Sequence, residues 1–160
     1  MPAGEPDLTG GLAVPPIPRA ALVTGGAQRI GRALVLALAE DGFAVAIHHN
    51  RSREAAETLV ETVRQKGGAA VALAADLADE GAVEELLPRA ERELGALGCL
   101  INNAAVFAND TVETVTSESW DKHLAVNLRA PFVLCRTSRP GYRRRRAAWS
   151  SICWISGSGR

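Results

Sequence analysis

Residues 20–40 constrain the fold of this 160-residue chain more than any other stretch. They open with the apolar run AALVT, turn through TGGAQRIG (residues 24–31), and continue as IGRALVLALAE with apolar residues at helical spacing. Asp41 and Gly42 then stop the helix. A buried strand that turns through glycines straight into a helix has a specific use. Gly25 can take a tight turn without a Cβ clash, and Gly31 lets helix and strand pack closely. The amides at the start of the helix offer donors and a partial positive charge, which suit a pyrophosphate. A glycine pattern alone would say little; its place between strand and helix makes it informative.

The same alternation continues along the chain. FAVAIH (43–48) reads as a second buried strand, and Ser52 as the cap of a helix running from about residue 53 to 66. That helix carries Ala55, Leu59 and Val63 on its apolar face and ends at Gly67 and Gly68. AAVALAA (69–75) is a third strand. Asp79 opens a helix reaching Leu94, in which Pro88 predicts a kink or a late restart. LGCLINNAA (97–105) is a fourth strand entering a polar turn, followed by a helix from near Ser117 to about Leu134 that Pro131 should disturb. The strands are continuously apolar rather than alternating, so both their faces are covered. The expected fold class is therefore α/β: a doubly wound parallel sheet of the dinucleotide-binding (Rossmann) kind, ordered 3-2-1-4 and incomplete at its C-terminal side.

Composition fits one such domain. Hydrophobic residues make up 47% of the chain but aromatics only 4%, so the core is built mainly from Ala, Val, Leu and Ile. Zero net charge conceals a reversal. All 18 acidic residues lie in 1–135, against 11 basic ones, whereas 136–160 carry seven Arg and no acid. Three domains of behaviour follow: a Pro/Gly-rich flexible leader (1–18), a nucleotide-binding domain (19–135) and a basic tail (136–160). The leader lacks a basic start and a sustained apolar run, so it does not read as a signal peptide. No run reaches a membrane span, and no membrane partner is expected. Cys99, Cys135 and Cys153 lack C-x-x-C spacing and read as reduced thiols in the cytoplasm. His48, His49 and His123 read as strand-end, loop and helix-surface residues, with no metal site.

The end of strand two selects the nucleotide. A site preferring NAD would carry a carboxylate there for the ribose 2′-hydroxyl. This chain instead has HHNRS (48–52), and Arg51 and Ser52, with Arg29 from the first turn, can hold a phosphate. The residues favour NADP.

These segments together resemble the short-chain dehydrogenases/reductases, and more narrowly their pteridine-reductase-like branch, over roughly residues 20–135. The family turn is usually Thr-Gly-x-x-x-Gly-x-Gly, and here Arg29 replaces the middle glycine, as in the pteridine reductases. The resemblance implies that Thr24, Gly25, Arg29, Ile30, Gly31, Asn50, Arg51 and Ser52 bind the cofactor, with Asp76 and Leu77 of ADL at the adenine. NNAA (102–105) matches the family's Asn-Asn-Ala-Gly, which implies a cofactor border at Asn103, Ala104 and Ala105. Asn127 in VNLRAPF matches the helix asparagine that holds a proton-relay water, the one catalytic residue carried over. A small-molecule substrate and a homo-oligomer are implied for the intact family; for this chain neither follows directly.

The family also uses a Tyr followed four residues later by a Lys, which lowers the Tyr pKa and holds the nicotinamide ribose. The only tyrosine here is Tyr142, with Arg146 four places on and only fifteen residues after Asn127. Catalytic incompetence is the expectation. WSSICWISGSG (149–159) suggests a cause: read two bases later, permitted codons give VVNMLDQRVW, a strand followed by the Asp-Gln-Arg-Val-Trp of the pteridine-reductase branch. Its Leu and Asp are dictated by Cys153, Trp154 and Ile155 whatever synonyms are used. The tail is thus expected to be out of frame, the sheet to end at its fourth strand, and Val126, Phe132 and Val133 to lie partly in water. The alternatives are a non-catalytic nucleotide-binding module and a nucleic-acid binder using the Arg-rich tail, the latter not favoured.

Overall fold

A computed structural model describes residues 17–138 and the backbone of Ser151–Trp154. Most of the expected leader, and Tyr142 with the arginines at 143–146, lie outside the described residues. The elements alternate as expected: β1 (Ala20–Val23), α1 (Arg29–Glu40), β2 (Ala44–His49), α2 (Arg53–Gln65), β3 (Ala70–Ala74), α3 (Glu80–Leu94) and β4 (Cys99–Asn102). Then come α4 (Ser117–Leu124), a π turn (Ala125–Arg129), α5 (Ala130–Thr137) and β5 (Ser151–Trp154).

Every strand pairing is parallel, in the order β3-β2-β1-β4-β5. Consecutive strand residues therefore point to opposite faces. Leu22 and Leu100 pack with α3 and α5 through Leu86, Ala90, Val133 and Leu134. Val23, Ile47 and Ile101 pack on the other face with α1 and α2 through Val35, Leu59 and Val63. The result is three layers, with all strand C-terminal ends at one edge.

Five local expectations are corrected. The sheet does not stop at β4, because Ser151–Trp154 pairs with it residue for residue; a short parallel pairing asks for extended backbone, not for an alternating pattern. Pro88 produces no late restart: α3 runs unbroken with the ring buried, losing one backbone bond while keeping its packing. Pro131 begins α5 instead of disturbing it, since the first helical turn needs no N–H from that residue. Ser52 stands at the start of α2 but makes no side-chain cap bond, whereas Asp79 caps α3 through Gly81 N (2.9 Å) and Ala82 N (3.3 Å). Of the three side chains expected in water, Val126 and Val133 are buried under the sheet and only Phe132 is exposed.

Candidate functional site

The glycine turn is fixed from several sides. Thr24 is buried, and its Oγ1 accepts from the amides of Asn103 (3.0 Å) and Ala104 (3.1 Å) at the end of β4. Asn103 returns the contact, its Nδ2 donating to the carbonyls of Thr24 (3.0 Å) and Gly25 (3.1 Å). Gly25 has φ +61°, a conformation that L side chains rarely adopt. A Cβ on Gly31 would stand 2.1 Å from Gly25 O and 2.7 Å from Asn103 Nδ2, so no side chain fits there. Arg29 has φ +50°, the one positive φ outside glycine among the described residues. A residue with a Cβ is strained in this region, and here it stands where the resembling family carries glycine.

His48 stands at the end of β2 as expected, but His49, expected in the loop, is corrected. They lie inside β2, buried, because the pairing with β3 extends to His49 opposite Ala74. The His48 ring takes up the Gly25 amide at Nδ1 (3.0 Å) and faces Ala75 O with Nε2 (3.1 Å). Burial pulls its pKa down to about 4, so the ring is neutral near pH 7. His49 Nδ1 has no partner. His123 is likewise more than a surface residue: Nε2 accepts from Ala108 N (2.9 Å) and Nδ1 faces Ser119 O (2.8 Å), tying the loop after β4 to α4.

Two cavities open at the C-terminal edge of the sheet. The first, about 310 Å³, is walled by Gly25, Arg29, Ile30 and Gly31 on one side and by Asn50, Asp76 and Leu77 on another. Asn103, Ala104 and Ala105 close it from β4. The second, about 570 Å³, lies over the start of α2 and is lined by Arg29, Arg32, Arg51, Ser52 and Arg53. Its one carboxylate is Glu54, while Arg53 is paired with Glu57 at 2.7 Å. The two cavities meet at Gln28 and Arg29.

Neither α1 nor α2, whose first turns line these cavities, has a side-chain cap, whereas α3 and α4 are capped by Asp79 and Thr116. Uncapped amides and several guanidinium groups facing one hollow suit an anionic ligand. Thr24 lines neither cavity and acts through the loop it holds. Asn127 also lines neither: its Oδ1 accepts from Val106 N and its Nδ2 donates to Val106 O, both at 2.8 Å. Sequence reasoning missed Gln28, His48, Val106, Lys122 and Val126 in the first cavity and Arg32 in the second. Arg32 was legible, since it follows Arg29 on the first turn of the same helix.

The parallel sheet, the glycine turn into an uncapped helix and the hollow across its strand ends define a dinucleotide-binding α/β domain. The family model for short chain dehydrogenases matches residues 19–157, and this chain belongs to that family. It is 38% identical over 117 residues to the uncharacterized oxidoreductase YgfF of Escherichia coli K12, covering 72% of this chain and 47% of that protein. It is similar to the FolM alternative dihydrofolate reductase 1 of Brucella canis, solved with NADP: TM-score 0.72, 41% identity, 78% of this chain and 50% of that one. A blue fluorescent protein from a metagenomic library, solved with NADPH, gives TM-score 0.74 and 34% identity, covering 77% of this chain and 51% of that one. The chain spans about half the length of the curated relatives it matches.

Proposed function

We propose that residues 19–135 form the NADP-binding half of a cytoplasmic short-chain reductase of the pteridine-reductase-like branch. The observation that carries this reading is the pair of joined cavities. One lies on the glycine turn and the uncapped α1, the other among Arg29, Arg32, Arg51 and Ser52 at the uncapped α2. The first suits a pyrophosphate and the second a 2′-phosphate, with Asp76 and Leu77 at the adenine and Asn103 to Ala105 along the ribose-nicotinamide side. The NADP complex of the Brucella FolM protein supports both the cofactor and the branch. In an intact relative the nicotinamide of such a cofactor would supply hydride to a carbonyl or pteridine substrate.

Titration of NADPH and NADH against the full chain tests the cofactor. NADPH is expected to bind at least about tenfold tighter, because a charge-assisted phosphate contact is worth about 1.5–3 kcal/mol, and Arg51→Asp should remove the preference. Equal affinities in the wild type overturn the reading.

We propose further that residues 1–160 do not turn over substrate. Asn127 is the one matched catalytic position, and Tyr142 lacks a lysine four places on. NADPH oxidation with a carbonyl and pteridine panel, lost in Tyr142→Phe, would show the opposite. The charge reversal at residue 136 and the Leu-Asp hidden under Cys153–Ile155 support a shifted frame in the tail. Sequencing codons 130–160 tests it. An unbroken frame overturns it, and would agree with the family match through residue 157 and the pairing of β5.

A further inference from the structure

His48 sits at the end of the strand that separates the two walls of the first cavity. In the order β3-β2-β1, the glycine turn follows β1 and the turn bearing Asp76 and Leu77 follows β3, with β2 between them. Nothing in the backbone pairing joins those turns directly. The His48 ring does: Nδ1 receives the Gly25 amide at 3.0 Å, and Nε2 lies 3.1 Å from Ala75 O. An Nδ1 that accepts from an amide carries no proton, so the proton is on Nε2 and is donated to Ala75. The backbone of the same residue adds a third tie, since Gly26 N donates to His48 O at 3.0 Å.

We propose that His48 is a positioning residue that yokes the glycine turn to the adenine-side turn, setting the width of the dinucleotide site through a single Nε2–H tautomer. This rests on the cofactor reading above, but the yoke itself is a property of the cofactor-free chain. The ring's surroundings keep it in the required state. Desolvation is the largest influence and disfavours a second proton; the Ala75 carbonyl opposes it, His49 on β2 and Arg89 on α3 add to it, and Asp76 in the turn after β3 opposes it weakly. His48 is 1% exposed, so both bonds are shielded from water while the ring is in place.

The function of a yoke differs from that of a filler. A ligand that spans both walls depends on their spacing, whereas a ligand touching one wall does not. NADPH spans both; adenosine, with neither pyrophosphate nor 2′-phosphate, has nothing to set on the glycine turn or on Arg29. In His48→Ala, NADPH affinity should fall about tenfold or more, from a buried amide and carbonyl left unmatched, while adenosine changes by less than about twofold. His48→Asn, whose Oδ1 can stand in for Nδ1, should recover part of the NADPH affinity by restoring the Gly25 arm alone.

The test combines these titrations with nitrogen-15 NMR of the full chain without cofactor. An unprotonated Nδ1, a protonated Nε2, and a Gly25 amide that exchanges faster in His48→Ala than in wild type support the yoke. A protonated Nδ1, or equal losses of NADPH and adenosine, overturns it. Should His48→Ala not fold, the wild-type tautomer and the partial recovery in His48→Asn still decide. Failure of the wild type to bind NADPH sinks the cofactor reading alone, and the tautomer with the Gly25 exchange rate then judges the yoke.

Discussion

Asn127 and Val106 are joined twice: the side-chain amide of Asn127 accepts from Val106 N and donates to Val106 O, both at 2.8 Å. The asparagine thereby acts as a two-bond strand partner for the chain leaving β4, and Val106 lines the first cavity. It does so from inside the π turn, an irregularity often found at functional sites. The resemblance assigns Asn127 to a proton relay, and the structure gives its side chain a second duty in holding the cavity wall.

Asn127→Asp should therefore destabilise by about 1–3 kcal/mol at pH 7, because a carboxylate cannot donate to Val106 O. Asn127→Ala should cost a similar amount by leaving both Val106 groups without that partner. Urea melts measure this. A loss under about half a kcal/mol in both variants would mean that water readily replaces the amide.

Arg29 sets stability against binding. Its φ of +50° is a conformation that costs a side-chain-bearing residue about 1–2 kcal/mol, and glycine recovers part of that at an entropic cost of roughly 0.5–1 kcal/mol. Arg29→Gly should leave the fold equal or slightly more stable, while weakening NADPH more than NADH through the lost guanidinium. Thermal melts and the two titrations on one preparation check both halves. A clear drop in melting temperature would show that the Arg29 side chain supports the fold.

The histidine tie makes stability depend on pH. His48 has a folded pKa of about 4 against its ordinary 6.5, so the folded state binds fewer protons than the unfolded state. Its contribution is full above pH 6.5 and is lost as pH falls from there towards 4. Between pH 7 and pH 5 the chain should lose about 2 kcal/mol from this group, and His48→Gln should flatten that part of the profile. The readout is the slope of stability with pH, not its level. An unchanged slope in the variant would assign the acid sensitivity elsewhere.

The parts of this molecule written locally were legible. Strand, glycine turn and helix follow one another within residues 20–40, and their meaning comes from adjacency alone. What escaped reading depends on chain ends brought together from afar. His48 meets Gly25 and Ala75 across 23 and 27 residues, and the sheet order, not any local pattern, makes it a tie. Ser52 and Asp79 carry the same capping signature, yet only Asp79 bonds its helix, the other side chain standing at the rim of the Arg-lined cavity. The strand Ser151–Trp154 was missed because a four-residue parallel pairing leaves no periodic trace.

The last prediction concerns a surface. Trp120, Leu124, Leu128 and Phe132 recur every four residues along α4, the π turn and α5, and are 58%, 42%, 64% and 63% exposed. Steps of four drift around an α-helix, and the wider π turn takes back part of that drift, which helps hold the four on one side. At its end the Arg136 guanidinium lies 5.9 Å from the Phe132 ring centre and pairs with Glu84 at 2.7 Å, fixing α5 against α3. An apolar row of this length favours burial against another apolar surface, each side chain gaining up to about 1.5–3 kcal/mol. The full chain should self-associate through this row, and Leu128→Glu with Phe132→Glu should reduce association while leaving the melting temperature nearly unchanged, because neither side chain enters the core. Light scattering over a concentration series measures this. A wild type that stays monomeric as concentration rises would show that four exposed apolar side chains are too few to hold two copies together.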